Sequence, residues 1–317
     1  MFESAQRWRT LAVCRLRDLR IDAAQHPRGN MYLSAASGLV RAHDRLYVVA
    51  DDEHHLAVFD PTSPAPGRLM RFLEGDLPDA KKKRKALKPD MEVLVYLPSL
   101  HGCPHGALLA LASGSRPNRN TGVVIKLGVD GEAESVVQRV DLAPLYASLR
   151  ERFADLNIEG AFVVGDELLL LQRGNKDCGS NACIRFAWAQ VWPWLLGRSV
   201  AAPRATALQH YDLGAIEGVP LGFTDGAALA GGAWVFSAVA ESGNDSYHDG
   251  ACVGASIGMV DASGTLRSLW ALAPSFKVEG IAVHLEGDAL TLTMVTDADD
   301  PAIPSQLLSA HCSLNES

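Results

Sequence analysis

Apolar residues along this chain come in short runs broken by Gly, Pro, Asp and Asn. That punctuation predicts many short strands and few helices. Five stretches, 36–52, 91–115, 158–174, 224–241 and 278–299, share one layout. Each opens on a polar residue, usually beside a glycine: Ser37, Glu92, Glu159, Asp225 and Glu279. An apolar strand, a turn, a second apolar strand and a polar cluster follow. The opening residues are separated by 55, 67, 66 and 54 positions, a spacing that suits one four-stranded blade with its loops.

Third and fourth strands can be placed for four repeats, at 55–60 and 68–74, 122–128 and 134–142, 182–188 and 206–213, and 254–261 and 265–272. The fifth repeat offers only 305–312, and one strand, 10–19, is left over at the N-terminus. Pairing the first strand with the last repeat uses both and removes open sheet edges. The expected fold is therefore all-β: one domain over 1–317, a five-bladed β-propeller closed by the N-terminal strand. Its blades run roughly 33–75, 90–142, 157–214, 223–273 and 277–314. A six-bladed ring follows if two short blades have been merged, and a β-sandwich is the plainer all-β alternative. Helical spacing is confined to 142–156 and to the Trp-rich 186–197, which Pro193 interrupts.

In a propeller the first strand of each blade lines the central channel. The five opening residues then form a ring with four carboxylates facing one another. Such a ring must either protonate or bind a cation. Hard oxygens without His or Cys suit calcium, whereas zinc, copper and iron fit poorly and magnesium demands a tighter octahedron. The competing explanation is that each acid is a turn residue bound to backbone amides.

Charge narrows the partners. The net charge is −8, which argues against nucleic acid or an anionic membrane. No apolar run is long enough for a membrane span, and the N-terminus carries no signal-peptide pattern. Six scattered cysteines, of which only Cys178 and Cys183 are close, suggest reduced thiols in a cytoplasmic protein. The oligomeric state is open.

Strands alternate in direction, so the head of a blade's first strand and the tail of its second share a face. Loops on that face are long and polar, and function concentrates on loops held by a rigid scaffold. Asp51, Asp52, His54 and His248 are the candidate general bases there. Arg116, Arg119, Arg173, Asn175, Lys176 and Glu241 are the candidate substrate-binding groups, since guanidinium matches phosphate or carboxylate. The run 81–88, KKKRKALK, falls on this face as a solvated charge run or a source of positive potential. HGCPHG, 101–106, reads as a turn on the opposite face.

The phrases KPDMEVLVYLP, NIEGAFVVGDELLLLQRGN, GFTDGAAL and KVEGIAVH resemble an uncharacterised bacterial propeller family related to the esterase-like phytases. The phrase RLYVVADDEHHLAVFD, with Ser37 and Glu279, is similar in layout to calcium-activated nucleotidases (apyrases). That resemblance implies one channel calcium held by Ser37, Glu92, Glu159 and Glu279. Asp225 departs from it by adding a carboxylate where a neutral ligand is expected. The expected function is a calcium-dependent hydrolase of a small anionic molecule, a phosphoester or phosphoanhydride before a lactone or ester. No GxSxG elbow supports a serine esterase. The alternative is a non-catalytic binding propeller with a structural calcium.

Overall fold

A computed structural model describes residues 9–174, 180–242 and 252–313. The chain begins with β1 (Arg9–Asp18). A first sheet follows in chain order: β2 (Ala36–Ala42), β3 (Arg45–Ala50), β4 (His55–Phe59) and β5 (Arg68–Arg71). Helix α1 (Lys81–Leu87) leads into a second sheet of β6 (Met91–Leu97), β7 (Ala107–Ala112), β8 (Thr121–Leu127) and β9 (Ala133–Asp141). Helix α2 (Ala143–Arg150) connects to the third sheet, β10 (Ile158–Val164), β11 (Glu167–Gln172), β12 (Asn181–Ala187) and β13 (Ala205–Tyr211), with α3 (Trp188–Leu195) between its last two strands. Then come β14 (Ala215–Ile216), β15 (Val219–Ala228), β16 (Trp234–Glu241), β17 (Cys252–Val260), β18 (Leu266–Ala273), β19 (Val278–Glu286), β20 (Ala289–Thr296) and β21 (Gln306–Ser313).

These last strands and β1 form one nine-stranded sheet, ordered β14-β15-β16-β17-β18-β1-β21-β20-β19. Its two halves are the fourth and fifth blades, and β1 joins them. Val13–Asp18 pairs antiparallel with β21, supplying the fourth strand missing from the last repeat. Arg9–Ala12 pairs in parallel with Trp270–Ala273 of β18. The N-terminal strand thus closes the last repeat, as expected, and also ties it to the repeat before.

The innermost strands β2, β6, β10, β15 and β19 pack each against the next, and β19 packs back onto β2. Each sheet is covered on both faces by its neighbours, which is why inner strands read as unbroken apolar runs rather than alternations. Strand β7, ALLALA, is buried at every position. Between the third and fourth blades Phe162, Tyr211, Phe223, Trp234 and Phe236 pack ring against ring. Each such fully buried large side chain contributes about 2–3 kcal/mol.

All five innermost strands carry a bulge near the inner end. The skipped residues are Ser37, Glu92, Glu159, Thr224 and Glu279. A bulge turns one side chain out of the ladder and re-aims it. The glycines that follow answer to packing. A Cβ on Gly280 would lie 2.6 Å from the Ser37 carbonyl, and one on Gly160 would lie 2.9 Å from the Asp225 Cα. Adjacent inner strands approach backbone to backbone there, and only glycine leaves the room.

Helix α1 was not anticipated. Its seven residues contain no apolar face, and tertiary anchors hold it instead. Arg84, 6% exposed, donates from Nε to Asp52 at 2.7 Å and from Nη1 to Asp79 O at 2.6 Å. Among the described residues no helix is long and apolar enough to cross a membrane.

Candidate functional site

A cavity of about 890 Å³ opens at the end of the channel where the five bulges lie. Three tiers of equivalent positions build its floor. The bulge residues Ser37, Glu92, Glu159 and Glu279 form the first. Two residues before the bulges stand Asp90, Asn157, Gly222 and Lys277, all but Gly222 just ahead of their strands. The tails of the second strands supply Asp51, Arg173, Glu241 and Asp297.

Ion pairs link the tiers. Lys88 bridges Asp51 and, at 2.9 Å, Asp90. Arg119, 8% exposed, binds Asp90 at 2.8 Å and Ser115 Oγ at 2.8 Å. Arg173 pairs with Glu241 and lies 3.8 Å from Glu159. Lys277 reaches Glu241 at 2.8 Å, Glu279 at 3.2 Å and Asp299 at 2.7 Å. Burial opposes charge on Lys88, but Asp51, Asp90 and Glu92 outweigh it and hold the ammonium well above its usual range. Lys277 is held up in the same way by Glu279 and Glu241. Burial raises Glu241 too, yet Arg173 and Lys277 overcome it and bring the carboxyl down to about 2.

The bulge glutamates are compensated least. Glu92 is pushed well above the carboxylate range by burial and then by Asp90, Glu159 and Asp51. Glu159 rises to about 8, through burial against the opposing Arg173, with Glu279 and Asp90 adding to it. Glu279 is raised by burial despite Lys277 and Arg173, and its Oε2 is buried with no hydrogen-bond partner. Asp51, Asp90 and Glu92 bring carboxylate oxygens within 4.8 Å of one another, the one such group among the described residues. Lys88 already sits on two of the three. Asp51 itself is raised to about 6, first by burial and then by Asp52 and Asp90 against Lys88.

The sequence candidates separate accordingly. Ser37, Glu92, Glu159 and Glu279 share the cavity with Asp51, Arg116, Arg119, Arg173 and Glu241. Asp225 does not line it. Its two carboxylate oxygens accept from Gly226 N at 2.7 Å and Ile281 N at 2.8 Å, stapling one inner strand to the next. The bulge-equivalent residue is Thr224, whose Oγ1 donates to Val278 O at 2.7 Å. Asp52 faces Arg84 and Arg28 instead, and His54 donates from Nδ1 to Gly75 O at 3.0 Å; neither lines the cavity. Asn175, Lys176 and His248 lie outside the described residues. Arg119 and Arg173 are committed to carboxylates rather than presented to an anion. Sequence reading passed over Lys88, Asp90 and Lys277. Counting back two residues from each bulge would have found the last two.

Among curated protein sequences, none is significantly similar to the chain. Solved structures share its fold. The glutaminyl cyclase of Myxococcus xanthus is 11% identical, with 96% of this chain and 99% of that one covered and a TM-score of 0.50. An α-L-arabinofuranosidase of Fusarium graminearum is 9% identical over 97% and 99%, TM-score 0.44. A gluconolactonase of Xanthomonas campestris is 14% identical over 87% and 72%, TM-score 0.40. Residues 32–312 match a family of unknown function, DUF6929, and the chain belongs to that family.

Proposed function

We propose that the protein is a calcium-dependent hydrolase of a small polar substrate. One observation carries the reading: Glu92, Glu159 and Glu279 meet in one cavity without enough cationic charge to balance them, and one oxygen of Glu279 is buried with no partner. The donors are oxygens alone, with Ser37 beside them, and such a set fits calcium. Glu92, Glu159 and Glu279, whose oxygens do not all lie within 4.8 Å of one another, would have to draw together to hold the ion. With Thr224 at the bulge, the set carries three carboxylates rather than four. A calcium held there would supply Lewis-acid polarisation of a substrate oxygen.

The protein's own groups do the rest. Asp51, at about 6, is poised to accept a proton from water at its carboxylate. Lys88 fixes that carboxylate in place. Arg173 and Lys277 orient Glu241, Glu159 and Glu279 rather than clamp the substrate. Phosphoesters, lactones and esters remain the substrate panel to test.

Calcium titration by calorimetry tests the reading. One site is expected, with affinity reduced at least about tenfold in Glu159→Gln. Turnover on the panel should require calcium and vanish in Asp51→Asn. No calcium binding at millimolar concentration would sink it. A second reading, a non-catalytic propeller whose calcium is a plug, is favoured by the self-paired state of Arg119, Arg173, Lys88 and Lys277. Calcium binding without turnover across the panel selects it.

A further inference from the structure

Two cavity-lining side chains take no part in the ion pairs or in the metal reading: Ser180 and His210. Ser180 Oγ and His210 Nδ1 lie 2.7 Å apart. Ser180 stands just ahead of β12, and His210 sits near the end of β13, paired with Ala182. Phe153 flanks the imidazole, with ring centroids 6.2 Å apart. Both residues are exposed, so solvent and ligand reach them.

The third sheet runs β10-β11-β12-β13 from the channel outward. His210 therefore stands three strands out from Glu159, about 14 Å at the usual strand spacing. The pair lies apart from the bulge glutamates yet opens on the same cavity. The scaffold does not need it. Backbone pairing already joins β12 to β13, and Asn181, next to Ser180, fastens β12 to Gly174, Leu221 and Phe223. Among the described residues Ser180 Oγ has no partner besides His210, and His210 Nε2 has none. A hydroxyl within hydrogen-bond reach of an imidazole, in an open cavity, is the arrangement by which a serine becomes a nucleophile.

We propose that Ser180 and His210 form a nucleophile–base pair that takes the acyl group of a small carboxylic ester. In the tautomer protonated at Nε2, Nδ1 accepts the hydroxyl hydrogen and readies Oγ for attack. Oγ bonds to the ester carbonyl carbon while its proton passes to Nδ1. The bond from that carbon to the leaving oxygen breaks, and the imidazolium gives the proton to the departing alkoxide. Water then attacks the acyl-serine and passes a proton to Nδ1. The acid leaves as Oγ recovers the proton. Ester and water enter, acid and alcohol leave, and no metal takes part.

The test uses the full chain in EDTA. An alkyl fluorophosphonate should lose fluoride to Oγ and label Ser180, located by peptide mapping. The ester p-nitrophenyl butyrate should release p-nitrophenolate in a burst as the acyl-serine forms. Ser180→Ala should abolish both. His210→Gln keeps an acceptor for the hydroxyl and cannot take up its proton, so labelling and burst should slow at least about a hundredfold. Both variants should keep the wild-type thermal transition, since the pair is exposed. Equal rates in His210→Gln and wild type reduce the contact to an ordinary surface hydrogen bond and overturn the proposal. Labelling confined to other serines, or no burst above the Ser180→Ala background, overturns it too. Calcium titrated without any probe reads the metal separately. Ser180 labelling without calcium binding sinks the calcium reading and leaves this one standing; calcium binding without Ser180 labelling does the reverse.

Discussion

Asp225 and Glu159 are both buried acids followed by glycine at the inner end of a blade, and their hydrogen-bond partners differ. Asp225 turns between blades, where two backbone amides hold its carboxylate. Glu159 turns into the cavity, where it receives the Asn157 amide and Arg173 at 3.8 Å. Burial raises both carboxyls, but only Asp225 has each of its oxygens answered by a backbone amide. Backbone register decides which. Glu159 is the bulged residue of its strand, whereas Asp225 follows the bulge at Thr224.

The contrast can be broken most forcefully at Asp225. Replacing it by alanine leaves two buried N–H groups without acceptors, at about 3 kcal/mol of stability in a urea titration. Calcium affinity should change little. If calcium binding disappears while the fold persists, the division between scaffold and site is wrong. Gly160→Ala forces a methyl against the Asp225 backbone and should cost about 2 kcal/mol. Thermal unfolding of both variants would show whether the same inter-blade contact is being lost.

Glu159→Gln acts in the other direction. Gln needs no proton to be buried, whereas Glu159 must take one up at neutral pH, so the variant should stabilise the calcium-free protein by on the order of 1 kcal/mol or more while weakening calcium binding. Loss of stability instead would place Glu159 with Asp225. The pH dependence sharpens the point. Glu159 titrates at about 8 in the fold against about 4.3 in the unfolded chain. The folded state keeps a proton that the unfolded chain has lost, so this group's contribution is full below pH ~4 and declines as pH rises to about 8. Glu241, at about 2, has the opposite sign: its contribution is present above the ordinary carboxylate value and is lost as pH falls toward 2. Calcium should flatten the first slope and leave the second. The smallest effect is expected at His54→Ala, within about 0.5 kcal/mol and with calcium binding unchanged, since His54 lies outside the cavity.

Much of this was legible from the chain. Strand positions from His55 to Ser313 and the closing role of β1 follow from apolar runs and turn residues alone. The face bearing the cavity follows from loop length and strand alternation. Thr224 was not legible, because Thr-Asp-Gly offers the eye an acid while the bulge sits one residue earlier. A single-residue slip moves a side chain to the opposite face of a strand, so Asp225 was assigned to the wrong side. Helix α1 was equally hidden. Lys81–Leu87 reads as solvated charge, and only the distant Asp52 and the backbone oxygens of Pro78 and Asp79 give Arg84 a reason to be buried. The arginines were legible as residues and not as roles, because sequence does not show that Glu241 and Asp90 reach them first.

Strand β1 hydrogen-bonds to two blades through its two halves, parallel to β18 and antiparallel to β21. It therefore works as a zipper pull: until β21 exists, β1 has no antiparallel mate. A nick within 19–35 would convert it into a guest peptide held by backbone pairing, by Leu11 in the core and by Arg17 on Asp60 O, and a labelled copy of residues 9–18 supplied in trans would report on how often that seam opens.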